Sequence, residues 1–142
     1  MTIAKTFDFH FLPNVPYGHK CTRLHGHTYR VEIRCEGEPD ARGMVVDYAA
    51  IAAAWESIHA QIDHRCLNEV PGLANPTTEI LAPWILARLR LCEPRLPVVA
   101  VRVYESSTTW CEVAIGDAPV RPCPPPTQNC SPTSGAGPCA WA

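Results

Sequence analysis

The chain has 142 residues, 46% of them hydrophobic, with a formal net charge of −2, which suits one cytoplasmic globular domain. That charge, with no basic stripe, argues against a nucleic-acid partner. MTIAKTFDFH lacks the apolar core of a signal peptide, and no run of about 18 apolar residues exists to span a membrane.

Residues 6–11, TFDFHF, alternate as a strand, with Phe7, Phe9 and Phe11 on one side and Thr6, Asp8 and His10 on the other. A loop marked by Pro13, Pro16 and Gly18 leads into the clearest strand of the chain. There His25, His27, Tyr29, Val31, Ile33 and Cys35 share one parity, and Thr28, Arg30, Glu32, Arg34 and Glu36 the other. Asp47 is placed to cap a helix whose buried face is Ile51, Trp55, Ile58 and Ile62, ending near Asp63. DHRCLNEVPGLANP reads as a loop before a second helix that begins near Thr77 or Thr78. Its stripe is Ile80, Leu81, Trp84, Ile85 and Leu89, and Pro83 calls for a late start or a kink.

VVAVRVYE (98–105) and TTWCEVAI (108–115) read as a strand pair joined through Ser106 and Ser107. The order is ββααββ, an α+β domain over 1–115. From Gly116 onward, seven of the fifteen prolines fall in the last 27 residues, and 116–142 is expected to be a disordered tail. The eight cysteines include no CxxC pair, and Cys35 and Cys92 read as small buried hydrophobes.

Two imidazoles at i and i+2 on a strand lie roughly 6.5–7 Å apart at Cα and point the same way, so His25 and His27 can converge on one metal ion. If the first two strands pair antiparallel, His10 comes near them, and three histidines leave a coordination position open for chemistry. Taken alone, a His-x-His is as readily a pair of polar residues at a strand end. Cys21 upstream, the Asp63 and His64 pair, and Glu105 at a strand end supply the groups that an active site would add.

These residues resemble the family of 6-pyruvoyltetrahydropterin and 6-carboxytetrahydropterin synthases, from about Phe7 to Val113. LPNVPYGHKCTRLHGHTYRVEI, IDHRCLNEVPGLANPTTEIL and VYES carry the likeness, and the CxxxHGH spacing from Cys21 to His27 is similar to the carboxy-synthase branch. The resemblance implies a tunnelling fold: an antiparallel four-stranded sheet with two helices on one face, assembled into homo-oligomers, commonly hexamers of two trimers. It implies Zn2+ on His10, His25 and His27, Cys21 as the proton-abstracting thiolate, Asp63 with His64 as proton relay, and Glu105 as pterin anchor. The implied reaction converts 7,8-dihydroneopterin triphosphate to 6-carboxy-5,6,7,8-tetrahydropterin, acetaldehyde and triphosphate, toward queuosine. The sibling activity, which makes 6-pyruvoyltetrahydropterin, and a non-catalytic pterin-binding homologue are the alternatives.

Lys20, Arg23 and His19 suit triphosphate contacts, although a solvated loop carries such residues equally well. Thr77, Thr78 and Glu79 can line the pterin pocket, and helix capping by itself would also account for the threonines. The chain departs from the family at its first strand, where Asp8, Phe9 and Phe11 replace a small pair and a basic residue around His10. Either Asp8 stands beside the metal as a supporting group, or the first strand has slipped.

Overall fold

The computed structural model describes residues 1–12 and 25–117, with only the backbone described for residues 9–12. Cys21, Lys20, Arg23 and His19 lie outside the described residues, and so does nearly all of the proline-rich segment expected to be disordered.

Among the described residues, five strands form one sheet in the order β3-β1-β2-β4-β5. They are β1 (Thr2–Leu12), β2 (His27–Glu36), β3 (Arg65–Cys66), β4 (Val98–Tyr104) and β5 (Trp110–Ala114), with α1 (Tyr48–Ile62) between β2 and β3 and α2 (Thr78–Cys92) before β4. The four long strands pair antiparallel, as the sequence predicts. β3 is an addition inside the stretch read as a loop. It pairs parallel with β1 for two residues, Phe11 with Arg65 and Leu12 with Cys66. No periodicity marks so short a strand, because its partner rather than its own sequence defines it.

Tyr29, Val31, Ile33 and Cys35 are all buried, and they pack against Ile51, Trp55, Ile58 and Ile62 of α1 and Leu81, Ile85 and Leu89 of α2. Burial pushes the Cys35 thiol up to about 11, as befits a cysteine acting as a small apolar group. Asp47 caps α1, its Oδ1 accepting the Ala49 N–H at 2.8 Å. α1 ends at Asp63, whose N–H returns to the His59 carbonyl.

α2 begins where the sequence places it, and two details of its packing, at Ile80 and Cys92, differ from expectation. α2 starts at Thr78 with Pro83 inside it, so the helix does not start late, and the proline removes the donor that would bond the Glu79 carbonyl. Ile80 is 44% exposed, and its place on the inner face is taken by Ala82, Leu86 and the stem of Arg88. The Arg88 guanidinium lies 4.3 Å from the Trp84 ring, an arrangement that lets a long charged side chain sit buried between helices. Cys92 is exposed rather than buried, since it falls on the last helical residue, beyond the sheet's cover.

The register of β1 decides the question raised by its unusual sequence. Phe7 pairs with Val31 and stacks on Trp55 at 5.1 Å, which fixes its parity to the helix face. Asp8 pairs with Arg30 on the other face and accepts its Nε–H at 3.1 Å, so Asp8 does not stand beside His27. The same ladder pairs His10 with Thr28 and Phe11 with His27. Direct partners in an antiparallel ladder share a face, so position 10 has the parity of Thr28 and position 11 that of His27. This is the one-residue offset that distinguishes a slipped strand from a locally repacked one.

Ile58, wholly buried, and Ile80, exposed, give a direct test of this packing. Ile58→Ala is expected to cost about 2–5 kcal/mol in urea unfolding. Ile80→Ala should stay within about 0.5 kcal/mol of the wild type. Equal losses for the two would mean that α2 is rotated from the position described.

Candidate active site

The inner face of β2 runs beyond the helices. Past Tyr29 the same parity continues to His27 and His25, so the rule that buries the core also aims two imidazoles at the sheet's end. Their rings meet edge to face, with centroids 4.7 Å apart, and His27 meets Tyr29 likewise at 5.5 Å. β4 ends at Tyr104, and the next residue, Glu105, brings its Oε1 to 3.2 Å from His27 Nε2.

That distance is short enough for an ion pair, yet Nε2 is buried and has no hydrogen-bond partner of acceptable geometry. Burial holds the His27 imidazole below its ordinary range. The Glu105 charge opposes this, and His25 adds to it. Burial wins, so near neutral pH His27 is an uncharged nitrogen donor next to a carboxylate rather than half of a salt bridge.

A second cluster lies where α1 turns into β3. Asp63 Oδ2 is 2.8 Å from His64 Nδ1 and 3.7 Å from His59 Nε2. His64 has φ 54°, a left-handed conformation uncommon outside glycine, and its side chain is 76% exposed. The carboxylate selects the tautomer with the proton on Nδ1, which directs Nε2 outward. Through the ladder, Arg65 and His27 flank the same residue of β1, Phe11. The His64 corner is therefore about two strand spacings, roughly 10 Å, from the first histidine of β2.

α2 supplies the third element. Thr77 holds the N-cap position, but its hydroxyl makes no capping bond. The Glu79 carboxyl is held below its usual range first by its own backbone N–H, then by the Thr77 hydroxyl, with Thr78 Oγ1 also donating to Oε2 at 3.3 Å. Capping thus does not account for Thr77: both threonine hydroxyls are turned to one carboxylate. Burial, reinforced by the charges of Glu105 and Glu79, pushes the Tyr29 phenol well above its ordinary range. Both carboxylates thus lie on the side of the sheet to which Tyr29 belongs.

Of the residues singled out from sequence, the structure brings His25, His27 and Glu105 together and pairs Asp63 with His64. Thr78 lies beside Glu79. His10 is placed by backbone register only, and its side chain, like Cys21, Lys20 and Arg23, is outside the described residues. Among the described residues, no group of three His, Cys, Asp or Glu is arranged to hold a metal ion. His59 was not read from sequence as part of the site, although its four-residue spacing from Asp63 on one helix was a legible signal. Tyr29 is both part of the core and in ring contact with His27, as its parity with His27 on β2 dictates.

Comparison with known proteins gives the family and the fold. Residues 2–115 match the family model described as 6-pyruvoyl tetrahydropterin synthase. The 6-carboxy-5,6,7,8-tetrahydropterin synthase of Synechocystis sp. is 34% identical over 115 residues, spanning 75% of this chain and 88% of the relative. The enzyme of the same name from Bacillus subtilis is 34% identical over 113 residues, 72% of this chain and 75% of its own. Among solved structures, the 6-pyruvoyl tetrahydropterin synthase of Caenorhabditis elegans has the same fold, with a TM-score of 0.74 at 21% identity over 80% of this chain and 94% of that one.

The pinned Glu79 carboxylate has a measurable signature. Its folded-state pKa is lowered, so its contribution to stability is present above the ordinary value of 4.5 and is lost as pH falls through the folded value. Glu79→Gln should therefore be less stable than the wild type at pH 7, with the difference between their urea midpoints closing in acid. A difference that holds constant to pH 3 would contradict the hydrogen bonds assigned to this carboxylate.

Proposed function

The chain belongs to the 6-pyruvoyl tetrahydropterin synthase family, and on that premise we propose that it is a zinc-dependent 6-carboxy-5,6,7,8-tetrahydropterin synthase. Its substrate is 7,8-dihydroneopterin triphosphate, and its products are the 6-carboxy tetrahydropterin, acetaldehyde and triphosphate, a step toward queuosine and related 7-deazaguanines. It works in the cytoplasm as a homo-oligomer, a hexamer built from trimers. The observation that carries this reading is the meeting of Glu105 with the His25 and His27 pair at one end of the sheet.

The residues suit the roles. A carboxylate accepts two parallel hydrogen bonds from an aminopyrimidine edge, so Glu105 can both recognise and orient a pterin ring. Glu79, ionised and pinned by two threonines, is a second acceptor on the same side of Tyr29. Asp63 fixes His64 with its proton on Nδ1, and Nε2 is then the atom that takes up or delivers a proton. Cys21 is assigned the removal of a proton from the substrate's side chain, a role for which its thiol must be ionised by nearby positive charge. Lys20 and Arg23 are assigned to the triphosphate.

The described residues fit a zinc site as far as they go. His25 and His27 offer two imidazoles on one face, and the buried Nε2 of His27 lacks a hydrogen-bond partner that a metal ion would replace. The family pattern implies His10 as the third ligand, and since the ladder gives position 10 the parity of Thr28, that role requires a one-residue shift of the end of β1. When bound, zinc supplies Lewis-acid polarisation of the substrate's side-chain hydroxyls. Oligomerisation is supported by β5, which pairs with β4 alone among the described strands and carries Trp110 at 53% exposure. No helix among the described residues is long and apolar enough to cross a membrane.

The test is to incubate the purified protein with 7,8-dihydroneopterin triphosphate and weigh the pterin product. The expected result is the 6-carboxy product with one acetaldehyde released per turnover, and a 6-pyruvoyl product would assign the sibling activity instead. Glu105→Gln should lower kcat/KM by about a hundredfold. Protein purified without added metal should hold about one zinc per subunit, and His27→Ala should lose it. A wild type that turns nothing over and holds no zinc would leave only the shared fold.

A further inference from the structure

We propose that Ser106 is the positioning residue that holds Glu105 in place, an inference that rests on Glu105 being the pterin anchor. Glu105 belongs to the connection between β4 and β5, residues 105–109, and Ser106 to Thr109 are all exposed. A connection of this kind has no apolar core of its own to fix its shape.

Its shape is fixed instead around one oxygen. Ser106 Oγ accepts the backbone N–H of Thr108 at 3.2 Å and of Thr109 at 3.1 Å. It also lies 2.7 Å from Thr109 Oγ1 and 3.3 Å from Thr108 Oγ1. A serine hydroxyl has two acceptor lone pairs and one proton. The two N–H groups occupy the acceptors, and the proton is directed to the nearer hydroxyl, that of Thr109, so the bonding capacity of Ser106 is filled.

Thr109 passes this constraint to Glu105. The Glu105 N–H donates to the Thr109 carbonyl at 3.0 Å, with the Ser106 N–H at 3.4 Å from the same oxygen. Thr109 is thereby gripped through its N–H and hydroxyl by Ser106 and through its carbonyl by Glu105. The Glu105 side chain contributes little to its own placement, being 41% exposed and close to His27 Nε2 without a hydrogen bond. Its carboxylate stands where the backbone of the connection puts it. Without the Ser106 hydroxyl, the N–H groups of Thr108 and Thr109 turn to water. Because they are exposed, the loss is felt in the aim of Glu105 rather than in global folding.

Ser106→Ala and Ser106→Thr in the full chain test this with three readouts: amide hydrogen exchange at Thr108 and Thr109, affinity for pterin by fluorescence quenching, and steady-state kinetics with 7,8-dihydroneopterin triphosphate. Ser106→Ala should speed exchange at both amides. It should also weaken pterin binding and raise KM on the order of tenfold, with a smaller effect on kcat. Ser106→Thr, which keeps the hydroxyl, should restore all three toward wild type. Unchanged exchange in Ser106→Ala, or a Ser106→Thr variant as impaired as Ser106→Ala, overturns the proposal. A loosened connection with wild-type pterin affinity overturns the positioning role while leaving the anchor in place. A wild type that binds no pterin overturns the reading of Glu105 itself, and the positioning role with it.

Discussion

Everything at the site follows from the two-residue period of β2. Burying Tyr29, Val31, Ile33 and Cys35 beneath two helices commits every second residue of that strand to one face. Because the strand begins before the helices' cover does, the same commitment carries His27 and His25 into a region that is neither core nor open solvent. A one-residue slip of β2 would move the imidazoles to the outer face and expose the core together, so site and fold share one constraint.

The opposite face of the sheet shows what that constraint excludes. There Glu112 accepts from Arg34 at 2.6 Å and from Arg102 at 2.8 Å, and the Tyr104 hydroxyl donates to Glu32 at 3.2 Å. These charges are paired with one another across strands and are partly open to solvent, where such pairs contribute little individually to stability. On the inner face the two carboxylates near the site, Glu105 and Glu79, face histidine, tyrosine and threonine rather than a basic side chain among the described contacts. A carboxylate held by neutral donors retains acceptor capacity for a ligand, whereas one locked to an arginine does not.

The site is assembled from the ends of elements. His27 opens β2 with His25 just before it, Asp63 caps the end of α1, Glu79 lies in the first turn of α2, and Glu105 follows β4. Each end is held by a local device. Asp63 is hydrogen-bonded to His64, with His59 within ion-pair range at 3.7 Å, Thr77 and Thr78 converge on Glu79, and Ser106 ties the connection after Glu105. Rigid elements set the approximate positions, and these short-range hydrogen bonds set the final ones. The left-handed backbone of His64 belongs to the same pattern, a strained residue held at a corner where the adjoining helix and strand determine its place.

The sequence alone determined the order of the four long strands and two helices, the buried faces of β2 and α1, the Asp47 cap, and the identity of His25, His27, Asp63, His64 and Glu105 as the groups to watch. All of these are properties of local spacing, and periods of 2 and 3.6 are written in one segment at a time. Only the tertiary structure decided what depends on how two segments meet. It paired Asp8 with Arg30 and position 10 with Thr28, and made Arg65–Cys66 a strand. It turned Ile80 and Cys92 outward, and sent the Thr77 hydroxyl to a carboxylate instead of a cap. A strand's own alternation fixes which residues go together, but which face they take is fixed by the partner, here by Phe7 stacking on Trp55.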